Sequence, residues 1–240
     1  MSAGGREARM PEGGATERQR ARPPRRDAAA SKRRILLAAL HEFSENGLAG
    51  ARIDAIAERA QVSKPMIYSY FGDKDELYKA ALREAYVQIR KGERKMETDD
   101  MSPAEAIHEL VRFTLDHFVS KPWFIRMLNT ENLVGGDNIR GIADAAEIQS
   151  PLIDQIRDIL ERGARAGVFR DGIDPVEFYI TLASLCYFPV SNKHTLRAVF
   201  HVAIDEEWLA RKTEDTAELL LRYLAPEPAP KTRTHGRDEE

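Results

Sequence analysis

The stretch from residue 52 to residue 71, RIDAIAERAQVSKPMIYSYF, constrains the fold of this chain more than any other. One apolar face of a first short helix is formed by residues at helical spacing: Ile53, Ile56, Ala57 and Ala60. Gln61 and Val62 form a tight turn after it, and Ser63 can cap a second helix because its hydroxyl can accept a backbone N–H. Pro65 lies in the first turn of that second helix, where its missing N–H costs little. The segment therefore predicts a helix-turn-helix.

The second helix of this motif contributes few residues to a core. Its apolar positions, Ile67 and Phe71, are four residues apart and leave most of residues 64–70 free of packing. A short helix of this composition is typical of one that presents a face to a partner.

The rest of the chain is predicted to be helical, with a disordered tail at each end. Residues 1–30, rich in Gly, Ala, Pro, Arg and Glu, are expected to form a basic tail. That tail is either a solvated leader or an arm that contacts phosphates or enters a minor groove. Residues 225–240 are Pro-rich and charged. No alternating apolar pattern indicates a strand, so the predicted fold class is all-α.

Capping signals predict where the helices begin and end. A first helix is expected from about Ser31 to a left-handed stop at Asn46-Gly47. Ser102, followed by Pro and then Glu at the third position, begins another. The helix after Asp174 is apolar almost all round, which predicts burial on more than one side. A last helix is expected from about residue 205 to residue 224.

The charge distribution favours a polyanionic partner for the N-terminal region. Residues 1–79 hold 15 Lys and Arg against 11 Asp and Glu, whereas the remaining residues hold 21 against 28. The single cysteine, Cys186, excludes an internal disulfide and fits a reducing compartment. The sequence has no run of about 18 apolar residues and no signal-peptide core, so we expect a cytoplasmic protein with no membrane partner.

Residues 33 to about 82 resemble the DNA-binding domain of the TetR family of transcriptional regulators. The residues that match the family pattern in register are Ile35, Ala38, Ala39, Phe43, Gly47, Ile56, Ala57, Ala60, Val62, Ser63, Ile67, Tyr68, Phe71, Lys74 and Leu77. The resemblance implies a three-helix DNA-binding domain at residues 31–90, followed by a larger helical ligand-binding and dimerisation domain at residues 91–224. It also implies a homodimer.

Three positions depart from the family pattern. The family usually has Thr or Ser before the first helix of the motif, where this chain has Ala51-Arg52. Its turn usually has Gly where this chain has Gln61, and His usually precedes the closing Phe where this chain has Tyr70. The first departure leaves the helix N-terminus without its usual cap, so Arg52 is expected either to bond a phosphate or to face solvent. Tyr70 keeps a hydroxyl that can donate to a phosphate.

The second helix of the motif is expected to lie in the major groove with its N-terminal residues at the base edges. Lys64 can donate to guanine O6 or N7 and Met66 can contact a thymine methyl, although a phosphate contact for Lys64 is equally open. The predicted DNA-binding residues are Arg52, Ser63, Lys64, Pro65, Met66, Tyr68, Ser69, Tyr70 and Lys74. For both tyrosines the alternative is core packing of the ring. Two motifs in a dimer would read a palindromic operator in double-stranded DNA, with half-sites roughly 34–36 Å apart.

An aromatic-rich set of residues in the C-terminal half predicts a pocket for a small hydrophobic or amphipathic effector. The candidate ligand-binding residues are Phe113, His117, Trp123, Met127, Glu131, Asn132, Tyr179 and Tyr187. Core packing of these side chains is the alternative, and the C-terminal domain would then serve dimerisation only.

The sequence gives little support for catalysis. It contains no G-x-S-x-G, no phosphate-binding glycine loop and no H-E-x-x-H. His108 and His117 are nine residues apart on one predicted helix, too far to share a metal, so we expect no metal and no cofactor. The predicted function is a non-enzymatic repressor released from its operator by a ligand. The alternative is a DNA-binding regulator that is controlled by a protein partner or by no ligand.

Overall fold

The computed structural model describes residues 25–93, 96–142 and 151–226, and within these ranges it contains eleven helices and no strand. The helices are α1 (Arg25–Gly50), α2 (Ile53–Ala60), α3 (Lys64–Phe71), α4 (Lys74–Glu93), α5 (Pro103–Ser120), α6 (Pro122–Leu133), α7 (Asp137–Ile142), α8 (Pro151–Arg165), α9 (Pro175–Ser191), α10 (Lys193–Phe200) and α11 (Glu206–Leu224). The all-α prediction is confirmed. No helix among these residues is both long and apolar enough to cross a bilayer.

Helix α1 begins earlier than the sequence predicted. It starts at Arg25 rather than near Ser31, so residues 25–30 of the predicted tail are helical. The run of alanines at residues 28–30 explains the extension, because alanine has the highest helix propensity. The other predicted tail residues, 1–24 and 227–240, lie outside the described residues. The helix breaks at Gly47, where φ is 63° and ψ is 179°, at the predicted stop.

The first four helices form a three-helix domain, α1 to α3, and the beginning of a long connecting helix, α4. Helix α1 packs against both α2 and α4, and α3 packs against α2 and α4. Phe43 of α1 lies edge-on to Tyr78 of α4, with ring centroids 5.0 Å apart. Arg34 of α1 also donates to the carbonyl of Ala60 at the end of α2. These contacts fix the orientation of α3, whose only fully buried side chain is Ile67.

Helix α5 lies at the centre of the C-terminal half, where it packs against α6, α8, α9 and α11. The predicted capping box at its start is confirmed, because Ser102 accepts from the Glu105 N–H while the Glu105 carboxylate accepts from the Ser102 N–H. Asp174 caps α9 in the predicted way. Helix α4 continues from the first domain into this half and packs against α7 and α8.

Helices α9 and α10 differ from expectation. The sequence of α9 predicted burial on more than one side, but Val176, Ile180 and Phe188 are 46%, 50% and 59% exposed. Helix α10 was not predicted, and it buries none of its own residues. A single chain therefore leaves apolar side chains of α9 uncovered.

Candidate DNA-binding surface and ligand cavity

Helix α3 presents most of its side chains to solvent. None of the nine predicted DNA-binding residues is buried. Six of them are exposed, namely Arg52, Ser63, Lys64, Pro65, Tyr68 and Ser69, while Met66, Tyr70 and Lys74 are partly exposed. Tyr68 is 48% exposed although it is a large aromatic residue. The predicted residues therefore lie on one accessible region around α3, and their contact with DNA stays a prediction.

The backbone just before α2 is held by a residue that the sequence did not point to. The Arg52 side chain makes no capping hydrogen bond, as expected from its position. Instead, the Arg52 backbone N–H donates to Glu42 Oε1 of α1 at 3.0 Å. Asn46 Nδ2 donates to the same oxygen at 3.1 Å. The buried carboxylate of Glu42 therefore ties the residue before α2 to α1. It does not replace a Thr or Ser cap, because such a cap accepts from N–H groups two or three residues further along.

Ser63 occupies the N-cap position of α3, but the predicted side-chain cap is not formed. The N–H of Met66 donates to the Ser63 backbone carbonyl at 3.0 Å, which closes the first turn without the hydroxyl. The Ser63 hydroxyl is therefore left on the exposed side of the motif.

The turn between α2 and α3 keeps its geometry without a glycine. Gln61 adopts the left-handed conformation, with φ of 53° and ψ of 49°. The N–H groups of Gln61 and Val62 donate to carbonyls at the end of α2, including Val62 to Ala57 at 3.0 Å. A glycine would adopt this conformation without steric strain, whereas a residue with a Cβ is strained in it.

Two basic residues predicted to contact DNA have protein partners. Lys64 Nζ lies 2.5 Å from Asp54 Oδ1 of α2. Lys74 Nζ donates to the Ala49 carbonyl at 3.1 Å, which joins the start of α4 to the end of α1. The Tyr70 ring is partly buried and lies under the ammonium group of Lys32 at 5.4 Å, so the core-packing alternative holds for it in part.

A cavity of about 710 Å³ lies between α4, α5, α6, α8 and α9. Five of the eight predicted ligand residues line it: Phe113, His117, Asn132, Tyr179 and Tyr187. The other three do not: Met127 is buried in the core, Trp123 packs edge-on against Phe124, and Glu131 accepts a hydrogen bond from α4. The Tyr187 hydroxyl donates to Asn129 at the cavity wall.

The sequence reasoning missed several residues of the cavity wall. Leu128 precedes Asn132 by four residues, so this helical spacing could have found it. Phe124 belongs to the aromatic-rich set that predicted the pocket, and it lines the wall. Tyr86 and Ile89 belong to α4, which the sequence placed with the DNA-binding domain, and no local pattern connects them to α5 or α6.

His117 is an uncharged polar group in an aromatic part of the wall. Its ring centroid lies 6.0 Å from that of Phe113 and 5.7 Å from that of Phe124. Burial, assisted by the nearby charge of Lys121, lowers the pKa of His117 from 6.5 to about 4. The imidazole is therefore neutral at neutral pH. Its Nε2 atom is buried and has no hydrogen-bond partner among the residues that the structure describes.

A buried hydrogen-bonded group joins α4 to α6 and α7. The Tyr78 hydroxyl donates to Glu131 Oε1 at 2.6 Å, and Asn138 Nδ2 donates to the same oxygen at 3.1 Å. Tyr78 and Glu131 are each 1% exposed. This contact lies between the core of the first domain and α6, whose residues Leu128 and Asn132 line the cavity.

Two family models match the two halves of this architecture. Residues 35–81 match the model described as bacterial regulatory proteins, tetR family, and residues 103–219 match the tetracyclin repressor-like C-terminal domain. The chain is also 37% identical over 191 residues to the HTH-type transcriptional repressor NicS of Pseudomonas putida, covering 79% of this chain and 90% of that protein. It belongs to the TetR family.

Another relative and two solved structures extend the comparison. The HTH-type transcriptional regulator RutR of Escherichia coli strain K12 is 38% identical over 206 residues, covering 84% of this chain and 93% of RutR. The crystal structure of FadR from Bacillus subtilis in complex with stearoyl-CoA has a TM-score of 0.60 at 17% identity, covering 79% of this chain and 97% of FadR. A TetR-like regulator from Rhodococcus has a TM-score of 0.56 at 21% identity, covering 84% and 98%. As a TetR-family member, this protein is a DNA-binding transcriptional regulator.

Proposed function

We propose that the protein is a homodimeric repressor that leaves a palindromic operator when a small hydrophobic or amphipathic molecule occupies the cavity. The observation that carries the proposal is the position of α4. Tyr86 and Ile89 of this helix line the cavity, whereas Lys74 and Tyr78 near its other end contact the DNA-binding domain and α6. A ligand that moves the cavity end of α4 would therefore move α3 as well.

The direction of the response depends on which arrangement the ligand favours. A ligand with equal affinity for the DNA-binding and the DNA-free arrangement would shift nothing, however tightly it bound. For release, the ligand must bind more tightly to the DNA-free arrangement, in which the spacing of the two α3 helices of a dimer does not match the operator.

The homodimer is supported by apolar side chains on two neighbouring helices. Val176, Ile180 and Phe188 of α9 are exposed, as are Leu219 and Tyr223 of α11. Helices α9 and α11 pack against each other, so these side chains can form a surface for a second copy. Burying them against a partner would remove several large apolar groups from water.

The relatives support the sign of regulation and the class of ligand. NicS is named a repressor, and FadR holds stearoyl-CoA, an amphipathic molecule. In this chain the cavity wall is formed largely by aromatic and aliphatic side chains, with a few polar groups such as Asn132 and Ser184. Such a composition is typical of a site for a mostly apolar ligand with a small number of oriented polar atoms.

The DNA part of the proposal is tested by selecting genomic fragments that the purified protein retains and measuring their affinity. Lys64→Ala and Tyr68→Ala should each weaken binding, because both side chains extend from the exposed face of α3. If neither substitution changes the affinity or its salt dependence, the proposed placement of α3 in the major groove is wrong.

The ligand part is tested with N-phenyl-1-naphthylamine, an uncharged dye that fluoresces in apolar surroundings. Ala183 lines the cavity, so Ala183→Trp should fill it and abolish dye binding while operator binding is retained. Ala104→Trp, at an exposed position of α5, is the matched control and should bind the dye normally. Equal dye binding by both variants, or none by the wild type, would favour a regulator that is controlled by a protein partner or by no ligand.

A further inference from the structure

The acidic side chain of Asp54 lies beside the N-terminus of α3, on the surface proposed to bind DNA. Asp54 is an exposed residue in the first turn of α2, and its carboxylate holds the ammonium group of Lys64, the first residue of α3. Lys64 Nζ and Asp54 Oδ1 are 2.5 Å apart. The Lys64 side chain is 48% exposed, and the Asp54 side chain is 55% exposed.

Attraction to phosphates does not explain this ion pair. The charge of Asp54 cancels that of Lys64, so the pair adds no net positive charge to a surface that must bind a polyanion. Stability does not explain it either, since exposed ion pairs contribute little to folding. The helix dipole favours an acid in the first turn of α2, but the contact of Asp54 with Lys64 on the surface proposed to bind DNA has a further chemical reason.

The base edges of DNA provide that reason. In helix-turn-helix proteins the N-terminal residues of the second helix contact base edges in the major groove. The Asp54 carboxylate holds the Lys64 ammonium group, so wherever that ammonium group meets a base edge the carboxylate lies beside it. A carboxylate only accepts hydrogen bonds, and the cytosine N4 amino group is a donor in the major groove that Asp and Glu read.

We propose that Asp54 is a specificity-determining residue that accepts a hydrogen bond from cytosine N4 in the operator. Lys64, held beside it, donates to guanine O6 or N7. The O6 of guanine and the N4 of cytosine lie side by side in one G·C pair, so the Lys64–Asp54 pair presents a donor and an acceptor that match it. The inference rests on the proposed DNA-binding surface and adds a residue that reads sequence.

The test uses the full-length protein and the operator recovered from genomic fragments, with each base pair of the half-site changed symmetrically in turn. For the wild type, each wrong pair at a read position should weaken binding by roughly 5- to 150-fold. In Asp54→Ala, we expect this penalty to fall below about 3-fold at one G·C position and to persist at the others. Asp54→Asn should shift the preference at that position toward adenine, which Asn reads with two hydrogen bonds.

Glu58→Ala is the matched control, because Glu58 is also an exposed acid on α2 but lies one turn further along. It removes the same charge and should leave the base preferences unchanged. If Asp54→Ala binds all sequences more tightly by one common factor, Asp54 only repels phosphates and the inference is wrong. A common loss on all sequences would show that Asp54 only positions α3, which also overturns it. A wild-type protein that retains no DNA fragment would instead overturn the proposed function itself.

Discussion

The hydrogen bond between Tyr78 and Glu131 gives a direct test of how the two halves of the chain are joined. Tyr78→Phe removes one hydroxyl and leaves the ring, which packs edge-on against Phe43. Within the described part of the chain, the Glu131 carboxylate then keeps only Asn138 as a donor, and its Oε2 atom has no partner there. The substitution therefore leaves a buried charged group with less hydrogen bonding and changes little else.

The expected loss follows from the charge and the burial of the acceptor. Hydrogen bonds to charged groups contribute roughly 1.5–3 kcal/mol, and the cost is greatest where the remaining partner is buried. Since Tyr78 and Glu131 are each 1% exposed, we expect the free energy of unfolding to fall by about 2–3 kcal/mol. For a chain of this length this corresponds to a decrease in Tm of about 4–12 °C.

Thermal unfolding followed by circular dichroism measures the effect at fixed protein concentration. Tyr68→Phe is the control, because the Tyr68 side chain is 48% exposed and lies outside the proposed dimer surface. Burial and the bond to Glu131 raise the pKa of Tyr78 far above its usual range, so the phenol stays protonated and the loss should be equal at pH 6 and pH 8. If Tyr78→Phe and Tyr68→Phe lower Tm equally, the buried bond does not hold α4 to α6.

Further variants test the turn, the cavity, the core and the dimer. Gln61→Gly should raise the free energy of unfolding by about 0.5–1 kcal/mol, because glycine adopts the left-handed conformation without the steric cost of a Cβ. Gln61→Ala keeps the Cβ and should give no such gain when both variants are unfolded in urea. Because the pKa of His117 is lowered in the folded protein, this imidazole binds a proton more tightly in the unfolded chain than in the folded one. Its protonation should therefore lower the free energy of unfolding by about 2 kcal/mol as the pH falls from 7 to 5. If the free energy of unfolding of His117→Gln depends on pH as steeply as that of the wild type, this prediction is wrong. Burial raises the pKa of Cys186 to about 12, so Ellman's reagent should label the thiol only after unfolding, and rapid labelling of native protein would refute its burial. Phe188→Glu should shift the sedimentation coefficient to that of a monomer, whereas an unchanged dimer would mean that this face of α9 is not the interface.

The helices and the DNA-binding domain could be predicted because their signals are local. The apolar residues of α2 repeat at helical spacing, and Ser102 and Asp174 cap their helices through residues two or three positions away. Such contacts are visible within a few residues of sequence. Helix α10 was missed although Leu196, Val199 and Phe200 repeat at helical spacing, because it is only eight residues long and follows α9 after a single residue.

The cavity and its connection to α4 could be predicted only in part. The aromatic side chains on α5 and α9 pointed to a pocket, but the contribution of Tyr86 and Ile89 depends on how α4 packs against other helices. Tyr78 and Glu131 are 53 residues apart in sequence, and no periodicity in either helix relates them. Glu131 and Met127 looked like ligand residues because they share a helix with the true wall residues, although they face elsewhere.

The carboxylate of Glu42 sets a limit on how far the helix-turn-helix behaves as a module. A segment that contains only residues 52–71 would begin with an N–H at Arg52 whose acceptor is left behind in α1. Transplanting this segment into another regulator would therefore require a hydrogen-bond acceptor at the corresponding site of the new scaffold. For this protein, the smallest exchangeable unit of DNA recognition begins in α1, no later than Glu42.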